Sequence, residues 1–253
     1  MLLAHLVPPP VTIRVLTYNV HHANPPKRPG TIDLDAIAAA IRAQKPDVVM
    51  LQELDVRTRR SGAEVDEAAE LGLKTGLGSY FAKAIDFEGG EYGVAILSRY
   101  PMAARRRVAL PTQEGTKGEP RVLALATLNL PDGTQVVAAC THMDAQRAPT
   151  NRRLQADAVA KELAAVGMPA ILGGDFNDTP GSETLRTLER VLDRSGLEGA
   201  PTFPADVPQT KIDYVTFAPK GAFRIVSQGV VPEAEASDHR SPARSPSEGL
   251  RVT

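Results

Sequence analysis

Apolar residues fall in short runs separated by polar, glycine-rich breaks, and the runs alternate between strand-like and helix-like spacing. Val11–Asn19 is β-rich and predicts a strand. Ile32–Gln44 sets Leu34, Ile37, Ala38 and Ile41 at helical spacing and stops before Lys45-Pro46. Val48–Gln52 is a short, continuous apolar strand, and Val65–Leu73 predicts a helix that ends among Gly72 and Gly76. Tyr80–Ile85 and Tyr92–Ser98 predict strands around the acidic turn Asp86–Glu91. Arg121–Leu130 and Thr134–Thr141 predict a hairpin that turns at Pro131-Asp132-Gly133. Helices over Thr150–Val166 and Ser182–Val191 flank the strand Ala170–Leu172, and Ile212–Ala218 and Phe223–Val231 close the series as strands. Strands dominate and helices are interspersed, which points to two mixed sheets covered by helices, in one domain over residues 1–240. The segment 241–253 is rich in Pro, Ser and Arg and is expected to be poorly ordered.

Composition changes this picture little. With 253 residues, 42% apolar and 23% charged, and a formal net charge of −1, the chain has no basic excess of the kind a non-specific duplex binder needs. A single cysteine, Cys140, rules out an intrachain disulfide and leaves the redox compartment open. The opening MLLAHLVPPP lacks a basic start and a long apolar run, and no later run is long enough to span a bilayer. The reading is a soluble, cytoplasmic protein; a mature secreted form has the same composition. Nothing in the pattern calls for an obligate protein partner.

The chemistry sits at strand ends. Asn19 closes the first strand, Glu53 the second, His142 a third, and Asp175 and Asn177 the exit "GGDFND"; Asp213 opens a later strand, and Asp238 and His239 follow the last. Each residue has a plain structural account when taken alone: a strand cap, a solvated charge, a half-buried imidazole, or a turn composition that favours Gly, Asn and Asp. Six separate strand ends carrying acids, amides and imidazoles are not explained that way. Loops at strand ends are where distant side chains converge, and this donor set suits a hard cation such as Mg²⁺ together with an anionic substrate. No Gly-x-Ser-x-Gly occurs, and Cys140 lies inside a strand, where packing is its expected role. His21 and His22 are adjacent, so in a strand they point to opposite sides, with His22 the one expected to line the pocket. Arg105-Arg106-Arg107 reads as a solvated edge strand rather than a nucleic-acid clamp.

The ordered set "TYNVHH", "LQELD", "YGVAILSR", "THMDA", "GGDFND", "KIDYV" and "SDH" resembles the endonuclease/exonuclease/phosphatase superfamily, from Thr17 to His239 and in the family's order. The resemblance implies an α/β fold of the DNase I-like kind, a four-layer α/β/β/α sandwich of two mixed, largely antiparallel sheets. It implies a divalent-metal-dependent phosphoesterase that acts by activated-water attack, on phosphodiesters ahead of monoesters. Glu53 would be the main metal ligand, with Asn19 beside it and Asp238 assisting. Asp175 would activate the water, Asn177 hold it or a phosphate oxygen, and His142 contact the scissile phosphate. His239 would be an imidazolium oriented by Asp213. Tyr92, His22 and Arg121 would line the substrate site, while Arg152 and Gln155 would be structural. The implied metal is Mg²⁺, with Mn²⁺ as an alternative and Ca²⁺ behind both. The substrate is a phosphoester of a small molecule, a lipid headgroup or a nucleic acid.

The chain departs from the family in two ways. It has no tryptophan, whereas abasic-site nucleases of the superfamily use aromatic probes and a basic face, so DNA repair ranks low. After Ser-Asp-His the chain reads "RSPARSPSEGLRVT" where relatives place a short apolar strand; Pro242 and Pro246 cannot donate to a ladder. The expectation is a weakened sheet edge beside His239. Two other functions stay open: hydrolysis of carboxylic esters in the same pocket, and a non-catalytic binding module on this fold.

Overall fold

The computed structural model describes residues 11–193, 198–243 and 250–252. In chain order its elements are β1 (Thr12–Ile13), β2 (Val15–Asn19), α1 (Leu34–Gln44), β3 (Val48–Val56), α2 (Glu67–Thr75), β4 (Gly78–Phe87), β5 (Gly90–Ser98), β6 (Met102–Ala109) and β7 (Val122–Asn129). They continue with β8 (Gln135–His142), α3 (Thr150–Ala165), β9 (Ala170–Asp175), α4 (Glu183–Leu188), β10 (Asp213–Ala218), β11 (Phe223–Arg224), β12 (Gly229–Val230), β13 (Pro242–Ala243) and β14 (Leu250–Val252). One sheet has the order β12-β13-β2-β3-β5-β4, a second β10-β9-β8-β7-β6, and a small third β1-β14-β11. The pairs β2/β3 and β8/β9 are parallel and the other pairs antiparallel, so both large sheets are mixed.

Side-chain alternation builds four layers. Val15, Met50, Val94 and Ile96 face Ala124, Ala138, Cys140, Ile171 and Phe217 between the sheets. The other face of the six-stranded sheet (Leu16, Val49, Leu51, Leu97) packs on Ile37, Ile41 and Leu71 of α1 and α2. The other face of the five-stranded sheet (Leu125, Val137, Leu172, Tyr214) packs on Val159, Leu163, Leu185 and Leu188 of α3 and α4. Helices α1, α2 and α4 start on side-chain caps: Asp33, Asp66 and Ser182 each accept from a backbone N–H three residues on. This is the α/β/β/α sandwich the resemblance implies.

Several sequence expectations change in detail. The Val11–Asn19 strand breaks at Arg14, whose backbone N–H donates to Asp47 Oδ2 at 2.8 Å; β1 then joins the small sheet. The strand expected to stop at Gln52 runs to Val56 through a bulge at Glu53 (φ 60°). The 86–91 turn tightens to Glu88-Gly89, both left-handed, as a two-residue hairpin requires. Gly173 and Gly174, expected to lead a turn, lie inside β9. A Cβ at Gly173 would meet the Met50 side chain at 2.3 Å, and one at Gly174 the Thr141 carbonyl oxygen at 2.3 Å, so both answer to close approach. Phe223–Val231 splits into β11 and β12, which join different sheets. Arg105–Arg107 lie on β6, the edge of its sheet, as expected.

Of the 241–253 segment, residues 244–249 and 253 lie outside the described residues. The described remainder of the segment is paired into the sheets. β13 pairs with β2, the Ser241 hydroxyl donates to Thr17 O at 2.6 Å, and β14 pairs with β1 and β11.

Cys140 packs between the sheets, its thiol bonded to Leu51 O at 3.3 Å, and burial pushes it up to about 12. Its place in the core matches the packing role expected of it. Glu67 is the costly buried group of α2. Its Oε2 accepts from Asp55 N at 2.9 Å, while Oε1 has no hydrogen-bond partner among the described residues. Burial, aided by the charge of Asp55, pushes its carboxyl up to about 8 from 4.5. The folded state therefore holds a proton that the unfolded chain has lost, and stability falls as pH rises from about 4.5 to about 8. E67Q is expected to flatten that slope and to exceed the parent in stability at pH 8, by on the order of a few kcal/mol. Urea melts across this pH range measure it; an equal slope in E67Q would show that Glu67 is not its source.

Candidate active site

The strand register assembles the site before any side chain is considered. His142 stands opposite Asp175 on the parallel pair β8/β9, and Asp213 opposite Asp175 on β10/β9. Across the sandwich, Asn19 ends β2 beside Gln52, and the bulge after Gln52 gives Glu53 its own direction. The Asn19 amide spans the gap. Its Nδ2 donates to Glu53 Oε1 at 2.9 Å and to Asp175 Oδ2 at 3.1 Å, and lies 3.5 Å from His239 Nε2, while its Oδ1 accepts from His21 N at 3.1 Å. Asn19, His142, Asp175, Asp213 and His239 are all buried.

Two acid–imidazole relations follow. His239 Nδ1 lies 3.0 Å from Asp213 Oδ2 and 3.2 Å from Oδ1, and its Nε2 lies 3.8 Å from Asp175 Oδ2. Burial opposes charge on this ring, but Asp213, Asp175 and Asp238 outweigh it and push the ring up to about 10. His142 Nε2 lies 3.7 Å from Asp175 Oδ2. There burial, reinforced by Arg121 and His239, holds the ring well below the ordinary value. The site thus contains one charged and one neutral imidazole. Burial and the charge of Asp213 push Asp175 up to about 7, against His239 and the donors Asn177 N and Asn19 Nδ2.

Asn177 takes a left-handed backbone (φ 51°) that turns the chain after β9. Its N–H donates to Asp175 Oδ1 at 2.9 Å, and its Nδ2 contacts Met143 O and His142 Nε2, each at 3.0 Å. Arg152 donates to Asp144 O at 2.9 Å and to Gln146 O, and meets Asp178 at 3.4 Å; the Gln155 oxygen accepts from Asp144 N at 2.9 Å. These bonds pin the loop after His142 and leave Asp178 outside the central cluster.

The remaining sequence candidates lie around this centre. Asp238 is partly exposed, 3.9 Å from His21 Nδ1, with its Oδ1 3.4 Å from the Ser237 hydroxyl oxygen. His21 and His22 do not alternate across a strand. They form a left-handed turn (φ 48° and 41°) with their rings in edge contact at 4.6 Å, and His21, not His22, faces Asp238. The His22 Nε2 meets Asn24 Nδ2 at 3.4 Å. Tyr92 is 9% exposed; burial and then Glu53 raise its hydroxyl well above the ordinary value. Arg121 is 7% exposed and pairs with Glu119 at 3.1 Å.

Sequence reading missed two supports of His239. Phe203 packs its ring 4.8 Å from the imidazole. The Ser237 hydroxyl donates to Asn19 O at 2.7 Å and accepts from His239 N at 3.2 Å, tying the imidazole loop to β2. Only the adjacency of Ser237 in "SDH" signalled the second.

Asp175, Asp213 and His239 present ligand atoms within 4.8 Å of one another, a grouping able to hold a metal ion. The wider donor chemistry also fits a cation. Asp175, Asp213 and Asp238 gather around one imidazolium, burial and then the charge of Asp213 push Asp175 up, and Glu53, joined to this group through Asn19, has an Oε2 with no hydrogen-bond partner among the described residues.

The two-sheet sandwich gathers acids, amides and imidazoles at one end, the arrangement of a family whose members are phosphoester-cleaving hydrolases. The model of the endonuclease/exonuclease/phosphatase family matches residues 16–239, and the chain belongs to that family. No curated protein matches the sequence. Among solved structures, the chain is similar to an endonuclease/exonuclease/phosphatase from Beutenbergia cavernae DSM 12333, at 26% identity and a TM-score of 0.73, covering 95% of this chain and 71% of that one. It is similar in fold to the mannosyl-6-phosphatase Bt3783 of Bacteroides thetaiotaomicron VPI-5482, at 16% identity and 0.76, covering 96% and 100%. It is also similar to the catalytic domain of human nocturnin, solved with a bound sulfate anion, at 20% identity and 0.69, covering 96% and 94%. Among the described residues no helix is long and apolar enough to cross a membrane.

Proposed function

We propose that this protein hydrolyses a phosphoester, a phosphodiester ahead of a monoester, by attack of a water activated at Asp175, with a bound Mg²⁺ or Mn²⁺. The observation that carries the reading is the Asn19 amide, which joins Glu53 to Asp175 beside the Asp213–His239 pair. A carboxylate pushed up to about 7 is matched to accepting a proton near neutral pH. An imidazolium held charged to about 10 is a fixed donor where negative charge builds on phosphoryl and leaving oxygens. His142 stays neutral, and with Asn177 it borders the same Asp175 carboxylate.

Glu53 would hold the metal, with Asn19 beside it and Asp238 at the rim; the His239 ring, protonated at neutral pH, has no lone pair to offer. A bound dication supplies charge stabilisation worth several kcal/mol at the developing oxyanion. The fold neighbours include a sugar-phosphate phosphatase and a protein that holds sulfate, a phosphate-shaped anion, which is consistent with this class of substrate.

The test is a panel of phosphomonoesters and diesters, including lipid headgroups and nucleic acid, assayed with Mg²⁺ or Mn²⁺ and with EDTA. Turnover is expected with either metal and is lost in EDTA. Glu53→Ala should raise the metal concentration for half-maximal rate at least about 10-fold, and His239→Ala should lower the rate at saturating metal. Turnover of acyl esters without phosphoesters, or no turnover by folded protein, would overturn the reading.

A further inference from the structure

His142 carries a proton with no visible acceptor. The Asn177 amide is oriented by its bond from Nδ2 to Met143 O, so the second Nδ2 proton faces His142 Nε2. Nε2 therefore accepts, and the proton of the neutral ring sits on Nδ1. That Nδ1 is buried and has no hydrogen-bond partner among the described residues. Protonating both nitrogens does not resolve this, because burial and the neighbouring positive charges oppose it.

Arg121 has a matching gap. Its Nε is also buried without a hydrogen-bond partner among the described residues. His142 is 5% exposed and Arg121 7%, and both line one small cavity together with Tyr92, Gly93 and Val94. The cavity offers a water about 10 Å³, room for one molecule. Both residues border a space of that size, and a water seated in it would offer one oxygen to both unpartnered donors.

We propose that this cavity binds a single structural water joining His142 Nδ1–H to Arg121 Nε–H, and that Arg121 is thereby a positioning residue for His142. The consequence is chemical. A carboxylate behind an imidazole makes it an imidazolium, as Asp213 does for His239. A water held by a guanidinium brings no negative charge: it gives the Nδ1–H an acceptor and so supports the form that the Asn177 amide selects at Nε2. Both Asn177 amide protons are then committed, and its carbonyl oxygen is the group left to accept from the attacking water.

The experiment is a long-range ¹H–¹⁵N correlation spectrum of the uniformly labelled full chain, combined with steady-state kinetics. In the parent protein His142 should show a protonated Nδ1 and an unprotonated Nε2. Arg121→Met should shift the ring toward the Nε2–H form and lower kcat about 10- to 100-fold with KM nearly unchanged. Arg121→Gln, which keeps an amide donor, should restore part of both. An Nε2–H ring in the parent overturns the proposal, and so does an unchanged tautomer in folded Arg121→Met or a dry cavity in a high-resolution crystal structure. If Arg121→Met does not fold, the parent spectrum and the crystal structure still decide. The rate readout rests on the phosphoesterase reading and the tautomer readout does not, so failure of one is distinguishable from failure of the other.

Discussion

Asp175→Asn is expected to lower kcat about 10³-fold, within the range for loss of a positioned general base, with KM changed only a few-fold. The two acids of "GGDFND" make the comparison sharp. Asp175 ends β9, is 1% exposed, and sits within 4 Å of both His142 and His239. Asp178, three residues on, turns outward to Arg152. Asp178→Asn should therefore cost less than about 10-fold, as the loss of a partly exposed ion pair that only steadies a loop. The amide at 175 keeps the size and one acceptor of the carboxylate but cannot take a proton from water. The pH profile adds a second check. A base must be ionised to act, so the parent rate should fall as pH drops below the value near 7 to which burial and Asp213 push Asp175. In Asp175→Asn that acid limb should vanish from the residual rate. Equal losses in the two variants, with circular dichroism unchanged, would assign the effect to the loop rather than to the Asp175 carboxylate.

What could be read from the sequence, and what could not, follows from where each residue gets its position. Asn19, His142 and Asp175 end apolar runs, and a run of that kind has an end that pattern alone locates. Their meeting is a matter of register: β2/β3 and β8/β9 run parallel, so their carboxyl ends fall at one end of the sandwich. Glu53 was found by its neighbours "LQELD", but its placement at a strand end was wrong. A bulge adds a residue without breaking hydrophobic periodicity, and nothing in Gln52-Glu53-Leu54 announces it. The glycines of "GGDFND" read as a turn because turns favour glycine. The real constraints, Met50 from the facing sheet and the Thr141 carbonyl from the next strand, belong to distant segments. Phe203 against His239 was illegible for the same reason, since its loop is placed by bonds to Thr210 rather than by any pattern of its own. Pro242 argued against a strand after His239. A two-residue strand locked by the Ser241 hydroxyl and one pairing with Leu16 proved short enough to tolerate it.

Asp213→Asn should move the alkaline limb of the rate profile down by several pH units, and this is the change that most directly tests the charged imidazole. Burial alone would leave His239 neutral at pH 7. Asp213, at 3.0 Å and ahead of Asp175 and Asp238 in influence, reverses that and carries the ring up to about 10. With an amide at 213, burial regains the advantage, and at pH 8 the ring is neutral. Loss of one fixed donor to a developing oxyanion costs about 10²- to 10³-fold in rate, so the variant should show that deficit at pH 8 and a smaller one near pH 6. The same linkage is written in stability. A ring whose folded value lies above its unfolded 6.5 stabilises the protein fully below 6.5, and that contribution is lost as pH climbs through about 10. The parent should therefore lose melting temperature between pH 7 and 10. Asp213→Asn should start lower at pH 6 and change less over that interval. A variant with the parent's alkaline limb would mean that His239 works as a neutral base and that the charge assigned to it is wrong, whatever the melting curves show.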